Sequence, residues 1–234
     1  PLYHPDYEPL WAELEALGLP VNVHGGTGLP DYGAFAFSLL LYLVEVPFYA
    51  QRPLVHMMLS GAFERHPDLK FVITESGAEW IIPLVERLDG VLETIRATGA
   101  TGELRFAEEA VLPKSATEYV RQNVWMGVSQ PTPGDLRARD VLGPDRFMWG
   151  SDYPHDEGTH PFTVEGLRAL FGDLPPAEIH DLVAGNAAAL YGFDLDALAP
   201  IAERVGPTVE QVATPLDELP ADANDALRRA VGAA

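Results

Sequence analysis

Four short apolar runs, Pro20 to Val23, Phe71 to Thr74, Asn123 to Val128 and Phe147 to Ser151, set the strongest limit on what this chain can fold into. Each gives way to a turn containing Gly, Ser or Pro and then to a stretch with helical periodicity. Parallel strands need a long crossover connection, and a helix between strands supplies one, so the pattern is α/β with a parallel sheet. Four strands are half of the eight that close a small barrel, and a half barrel leaves sheet edges that must be covered. The length of 234 residues suits one substantial domain and falls just short of the ~250 of a complete (β/α)8 barrel.

The helices are legible as well. Pro9 to Leu17 carries Leu10, Leu14 and Leu17 on one face and stops at Gly18. Ala34 to Arg65 is long and apolar, and Pro47 and Pro53 are expected to break it into two or three helices before the turn at His66-Pro67-Asp68. Its most apolar part, Phe35 to Phe48, contains Glu45 and Pro47 and is too short to span a bilayer, so it reads as a buried helix. Trp80 to Ile95, Ala116 to Gln122, Pro133 to Val141, Thr163 to Phe171 and Pro176 to Tyr191 complete the set. Residues 1–194 are assigned to the half barrel. Residues 195–234, rich in proline and with a helical hint only at Glu218 to Val231, are read as an extension that packs on it.

Composition narrows the function. A formal charge of -20 disfavours nucleic acid and anionic membrane surfaces, which such a chain would repel. The absence of cysteine removes disulfides, thiolate ligands and a cysteine nucleophile, leaving His, Asp and Glu as metal ligands. No basic and apolar leader opens the chain, which points to a cytoplasmic protein, and with no initiating Met the sequence reads as starting inside a longer one. No glycine-rich phosphate loop or nucleophile elbow is present.

In parallel α/β folds functional groups gather at the carboxyl ends of strands. There the first run delivers His24, the second Glu75, the fourth Asp152, and the third Ser129 and Gln130, which can hydrogen-bond a substrate but are weak ligands. Gly25 and Gly26 leave room beside His24 for a ligand. Glu75 could instead cap the helix after it. Asp152 follows an apolar strand and precedes a turn fixed by Pro154, where an unpaired carboxylate would be costly to bury, so a metal ion or the proton of a metal-bound water is its expected partner. His155 and His56 are candidate substrate contacts, and Trp80 reads first as core and second as a substrate contact. His4, His66, His160 and His180 read as loop or surface.

The succession Pro20-Val21-Asn22-Val23-His24-Gly25-Gly26, Phe63-Glu64-Arg65-His66-Pro67-Asp68, Glu75-Ser76-Gly77, Gly150-Ser151-Asp152-Tyr153-Pro154-His155 and Gly185-Asn186-Ala187-Ala188 resembles the amidohydrolase-related family, in the branch of aminocarboxymuconate-semialdehyde decarboxylase. The resemblance implies a TIM-type (β/α)8 barrel of which this chain carries strands five to eight. It also implies one divalent metal ion, Zn or Mn, with His24 as the fifth-strand ligand and Asp152 as the eighth-strand ligand and proton shuttle. The first-strand ligand pair, His-x-His or Glu-x-His, has no counterpart in the chain, and Glu75 stands where the decarboxylases have a histidine. The expected activity is metal-dependent hydrolysis or non-oxidative decarboxylation of a small organic substrate, with Asp152 and Glu75 as catalytic groups. The alternative is a non-catalytic barrel remnant used in binding or assembly. A homodimer that pairs two half barrels is one expected assembly.

Overall fold

A computed structural model describes residues 1–26 and 28–232, and the chain divides into two compact units. The first comprises Pro1–Ser76 with Trp80–Met126, and the second Gly77–Glu79 with the chain from Gly127 on.

The first unit is built from α1 (Glu8–Ala16), β1 (Val21–His24), α2 (Ser38–Leu59), α3 (Ala62–Arg65), β2 (Phe71–Thr74), α4 (Ile81–Thr98), a short hairpin of β3 (Ala100–Thr101) and β4 (Leu104–Arg105), α5 (Ala116–Asn123) and the start of β5 (Val124–Ser129). β1 and β2 pair in parallel, Val21 opposite Phe71 and His24 opposite Thr74, and β2 lies between β1 and β5. An inner strand covered on both faces should be continuously apolar, and Phe71, Val72 and Ile73 are all buried. Phe71 meets Phe63 of α3 edge-on at 5.7 Å, and Leu54, Met57 and Met58 of α2 and Val85 of α4 complete this core. Asn123, fully buried at the end of α5, donates from its side chain to the carbonyls of Leu69, Pro67 and His66, which fixes the turn that feeds β2.

The second unit continues β5 and adds α6 (Pro133–Leu136), α7 (Ala138–Leu142), β6 (Phe147–Gly150), α8 (Thr163–Phe171), α9 (Pro176–His180), α10 (Asn186–Tyr191), α11 (Leu195–Val205), α12 (Val209–Val212) and α13 (Asp225–Ala230). β6 is the neighbour of β5. Burial along β5 alternates residue by residue, with Val124, Met126 and Val128 inward, as the twofold pleat requires. Between α9 and α10 the single helix expected over Pro176 to Tyr191 widens into one π-helical turn, Asp181–Gly185. The buried Asn186 side chain just beyond it donates to the carbonyls of Pro144 and Phe147, pinning the start of β6.

Several expectations are corrected. Pro47 and Pro53 do not break the long apolar segment: α2 runs through both, and the chain turns at Gly61, whose φ is +75°. Pro53 is buried with Ala50, Leu54, Met57 and Met58, so core packing outweighs the lost backbone bonds. Nor is Phe35 to Phe48 buried. Leu39 is 80% and Leu43 70% exposed. A helix of 22 residues is ~33 Å long at 1.5 Å per residue, whereas a four-residue strand covers only ~13 Å, so one end overhangs the strand it packs near. His66 is not at the surface either. It is buried, with its ring nitrogens 3.1 Å from carboxylate oxygens of Glu8 and Glu15 on α1. In the tail α11 was not foreseen, because Pro200 lies inside it. The β3–β4 hairpin was missed because two-residue strands show no alternation.

Two local features yield predictions. Ser115 accepts from the Glu118 backbone N–H while Glu118 accepts from that of Ser115, a capping box that starts α5. Ser115→Ala is expected to cost ~1 kcal/mol, read as a lower urea midpoint. Lys114, and then the Tyr119 hydroxyl, hold the Glu64 carboxyl below its ordinary value by hydrogen bonds of 2.8 and 3.0 Å. A lowered carboxyl contributes stability above its unfolded-state pKa and loses it as pH falls through the folded value. Glu64→Gln is therefore expected to flatten the acid limb of a stability–pH curve while leaving its neutral plateau folded.

Candidate active site

In the first unit β1 ends on His24 and β2 is followed by Glu75. The ladder continues for one more step, Gly25 N–H donating to Thr74 O at 3.0 Å, which sets Gly25 against the backbone after Thr74. A Cβ at Gly25 would fall inside contact distance of the Glu75 carbonyl oxygen, so only glycine allows this approach. The result is a close pair, with His24 Nε2 2.6 Å from Glu75 Oε2. The other ring nitrogen, Nδ1, lies 2.8 Å from the Gly25 carbonyl oxygen. A carbonyl only accepts, so Nδ1 carries a proton, and Nε2 faces the carboxyl group with either a second proton or a lone pair. Two lone pairs at that distance repel. A proton belongs between them at this separation, and an ion held by the two atoms would sit beside the pair.

In the second unit Asp152 sits two residues beyond β6, its side chain only 8% exposed. Its Oδ2 accepts a hydrogen bond from Gln130 Nε2 at 2.7 Å and lies 3.3 Å from His155 Nδ1. The loop around it is held by its own backbone: His155 N–H donates to Asp152 O and Thr159 N–H to Ser151 O, both at 2.9 Å. Gly158 packs against the carbonyls of His155, Asp152 and Ser151, where a Cβ would meet all three.

Three non-glycine residues among those described have positive φ: Glu75 at 53°, Gln130 at 50° and Asp152 at 60°. Glu75 and Gln130 directly follow β2 and β5, and Asp152 lies two residues beyond β6. The left-handed region costs a non-glycine residue ~1–2 kcal/mol, so it persists only where the surroundings dictate it, and such residues gather at functional sites. Composition gives no sign of this strain. Gln130 was legible only as a strand-end residue able to hydrogen-bond, and its bond to Asp152 needed the folded chain.

The remaining sequence candidates are placed differently. His56, on α2, meets Tyr3 edge-on with centroids 4.9 Å apart. It borders a groove of about 580 Å³ shared with Asn22, Val23, Tyr49 and Arg52, which neither His24 nor Glu75 lines. Burial, and then the Arg52 charge, hold its pKa below the usual histidine value. Trp80 turns back on its own loop, its Nε1 donating to Ser76 O at 3.0 Å. Asp135 was not anticipated at all. It is buried and accepts from the backbone N–H groups of Ala78, Glu79 and Thr132, tying the segment after Ser76 to the turn after β5 within the second unit.

Residues 1–193 match the family model described as amidohydrolase. The chain belongs to the amidohydrolase family. Among its relatives, the gamma-resorcylate decarboxylase of Rhodococcus jostii (strain RHA1) is 27% identical over 205 residues, covering 83% of this chain and 57% of the relative. The crystal structure of 5-carboxyvanillate decarboxylase LigW from Sphingomonas paucimobilis superposes with a TM-score of 0.61 at 25% identity, covering 82% of this chain and 55% of that one. A dihydroxybenzoic acid decarboxylase from Polaromonas sp. JS666, whose structure contains manganese and the inhibitor 2-nitroresorcinol, shares the fold at 19% identity and a TM-score of 0.52, over 82% of this chain and 55% of that one. The chain thus spans little more than half the length of these relatives. No helix among its described residues is long and apolar enough to cross a membrane.

Proposed function

We propose that the chain is the C-terminal half of a (β/α)8 barrel, strands five to eight, from a metal-dependent carboxy-lyase that removes CO2 from a small aromatic carboxylate. Residues 1–194 form the half barrel in this reading and residues 195–234 an extension packed on it. The parallel pairing of β1 with β2, and a match that takes in 83% of this chain but only 57% of a relative, support it. The protein is cytoplasmic in this reading, and homodimerisation is its expected assembly, testable by sedimentation.

The observation that carries the chemistry is the His24–Glu75 pair. With Nδ1 committed to the Gly25 carbonyl, His24 offers Nε2 as a ligand nitrogen, and a backbone acceptor on the opposite ring nitrogen is what orients a metal-binding histidine. Asp152 supplies a nearly buried carboxylate. These donors, nitrogen and oxygen with no thiolate, suit Zn or Mn. Bound there, the ion would polarise the substrate's oxygens and stabilise charge that develops during reaction.

The chain's own residues do the rest. Asp152 holds the proton and delivers it to the ring carbon that bears the carboxylate; the bond to that carboxylate carbon breaks, its electron pair stays with the ring, and CO2 leaves. Gln130 and His155 both meet Oδ2 of the Asp152 carboxylate, at 2.7 and 3.3 Å. Glu75, whose carboxylate lies beside the Nε2 that would hold the ion, would face a cation and so would not present an isolated negative charge to an anionic substrate. His155 is placed to contact substrate; His56 and Trp80 lie further from this chemistry in the reading. Decarboxylation is preferred to hydrolysis, and to a non-catalytic remnant, because the relatives named above are decarboxylases. The test is elemental analysis of the full-length protein followed by CO2 release from gamma-resorcylate and 5-carboxyvanillate. One Mn or Zn per chain and metal-dependent release of CO2 are expected; a metal-free protein with undiminished turnover would refute the reading.

A further inference from the structure

The last helix, α13, lies beyond the segment that matches the family model, which ends at residue 193. It nevertheless reaches the Asp152 loop within the second unit. The Arg229 guanidinium donates to Gln130 Oε1, and to the Glu157 carbonyl at 3.5 Å. Gln130 Nε2 in turn donates to Asp152 Oδ2 at 2.7 Å. One turn earlier, Asn224 caps α13 with its Oδ1, accepting from Leu227 N–H at 2.9 Å, and uses its Nδ2 to donate to the carbonyls of Gly158 and His160, each at 3.2 Å. Ala226, Leu227 and Ala230 of this helix are buried.

The chemistry of the two end groups settles which way the Gln130 amide points. A guanidinium has donors only and an ionised carboxylate acceptors only, so the oxygen must face Arg229 and the nitrogen Asp152. Without the guanidinium the amide is held at one end only, by its bond to the Asp152 carboxylate, and its oxygen loses the partner that fixes it. The backbone of Gln130 is also fixed, by its left-handed φ of 50° and by its N–H bond to Gly150 O at 3.2 Å. Only the side-chain amide is left to be oriented.

We propose that Arg229 and Gln130 are positioning residues for Asp152, and that α13 completes the reactive centre from outside the family-matched region. Asn224 makes the second anchor by holding the far end of the same loop. The proposal rests on the reading of Asp152 as a metal ligand and proton carrier, and the test separates the two.

Manganese affinity of the full-length protein is measured by calorimetry for wild type, Arg229→Gln, Arg229→Lys, Gln130→Met and the double variant Arg229→Gln/Gln130→Met. Each of Arg229→Gln and Gln130→Met is expected to weaken binding ~10–100-fold, the usual effect of removing a group that orients a ligand. Arg229→Lys, which can still donate to Gln130, should recover most of the affinity. The double variant should be no worse than the poorer single one, because both changes interrupt one chain of bonds. Additive losses, or wild-type affinity in Gln130→Met, would overturn the proposal. Hydrogen exchange at the His155 and Thr159 amides, followed without metal, gives the independent arm. Faster exchange in Arg229→Gln with an unchanged melting temperature supports the clamp, and unchanged exchange overturns it. A wild-type protein that takes up no manganese removes the metal reading and leaves the clamp to be decided by this exchange alone.

Discussion

Asp152→Asn is expected to lower turnover of the full-length protein by ~10²–10⁴-fold, the range lost when a positioned proton donor is removed. The substitution isolates chemistry from folding. Asparagine is among the few residues that accept a left-handed backbone, so the φ of 60° at this position is tolerated. Its carboxamide oxygen can still accept from Gln130 Nε2, which keeps the local bond of 2.7 Å. What it lacks is the negative charge that binds a cation and the capacity to carry a proton. The melting temperature should stay close to wild type while bound metal and CO2 release both fall. Wild-type turnover in a fully folded Asn variant would remove Asp152 from the mechanism.

The second large effect is expected at Gly25. A methyl group there cannot coexist with the Glu75 carbonyl oxygen in its observed place, so Gly25→Ala must push apart the ends of β1 and β2. Overpacking of this kind costs ~1–3 kcal/mol and here falls on a backbone atom that cannot rotate away. The same displacement separates His24 from Glu75, so metal affinity should fall together with the urea midpoint. Gly90 is the control. It lies on α4 with open space where its Cβ would be, and Gly90→Ala should hold or raise stability by ~0.4–1 kcal/mol. Equal stabilities for the two variants would show that the approach of Glu75 to Gly25 does not constrain the site.

The parts that were legible beforehand share one property: they depend on neighbours in sequence. Phe71, Val72 and Ile73 announce an inner strand because a strand covered on both faces must be apolar throughout. That His24, Glu75 and Asp152 stand at or just beyond strand ends was legible in the same way, because the ends of short apolar runs are local features. The run Phe35 to Phe48 misled for the same reason. Its composition is that of a buried helix, but burial is decided by what lies opposite, and α2 is longer than the strand beside it.

What the sequence by itself determined was the α/β alternation, the parallel sheet and the chemical identity of the groups at its carboxyl edge, because twofold and 3.6-residue periodicities and turn residues are local. The tertiary structure alone decided that His24 meets Glu75, that three strand-end residues adopt left-handed backbones, and that Arg229 reaches Gln130 across 99 positions of chain. Such contacts join residues with no periodic relation to one another. They arise only when the packed core fixes where each loop ends, and so Asp152 acquires from the fold the partners that its own stretch of sequence does not contain.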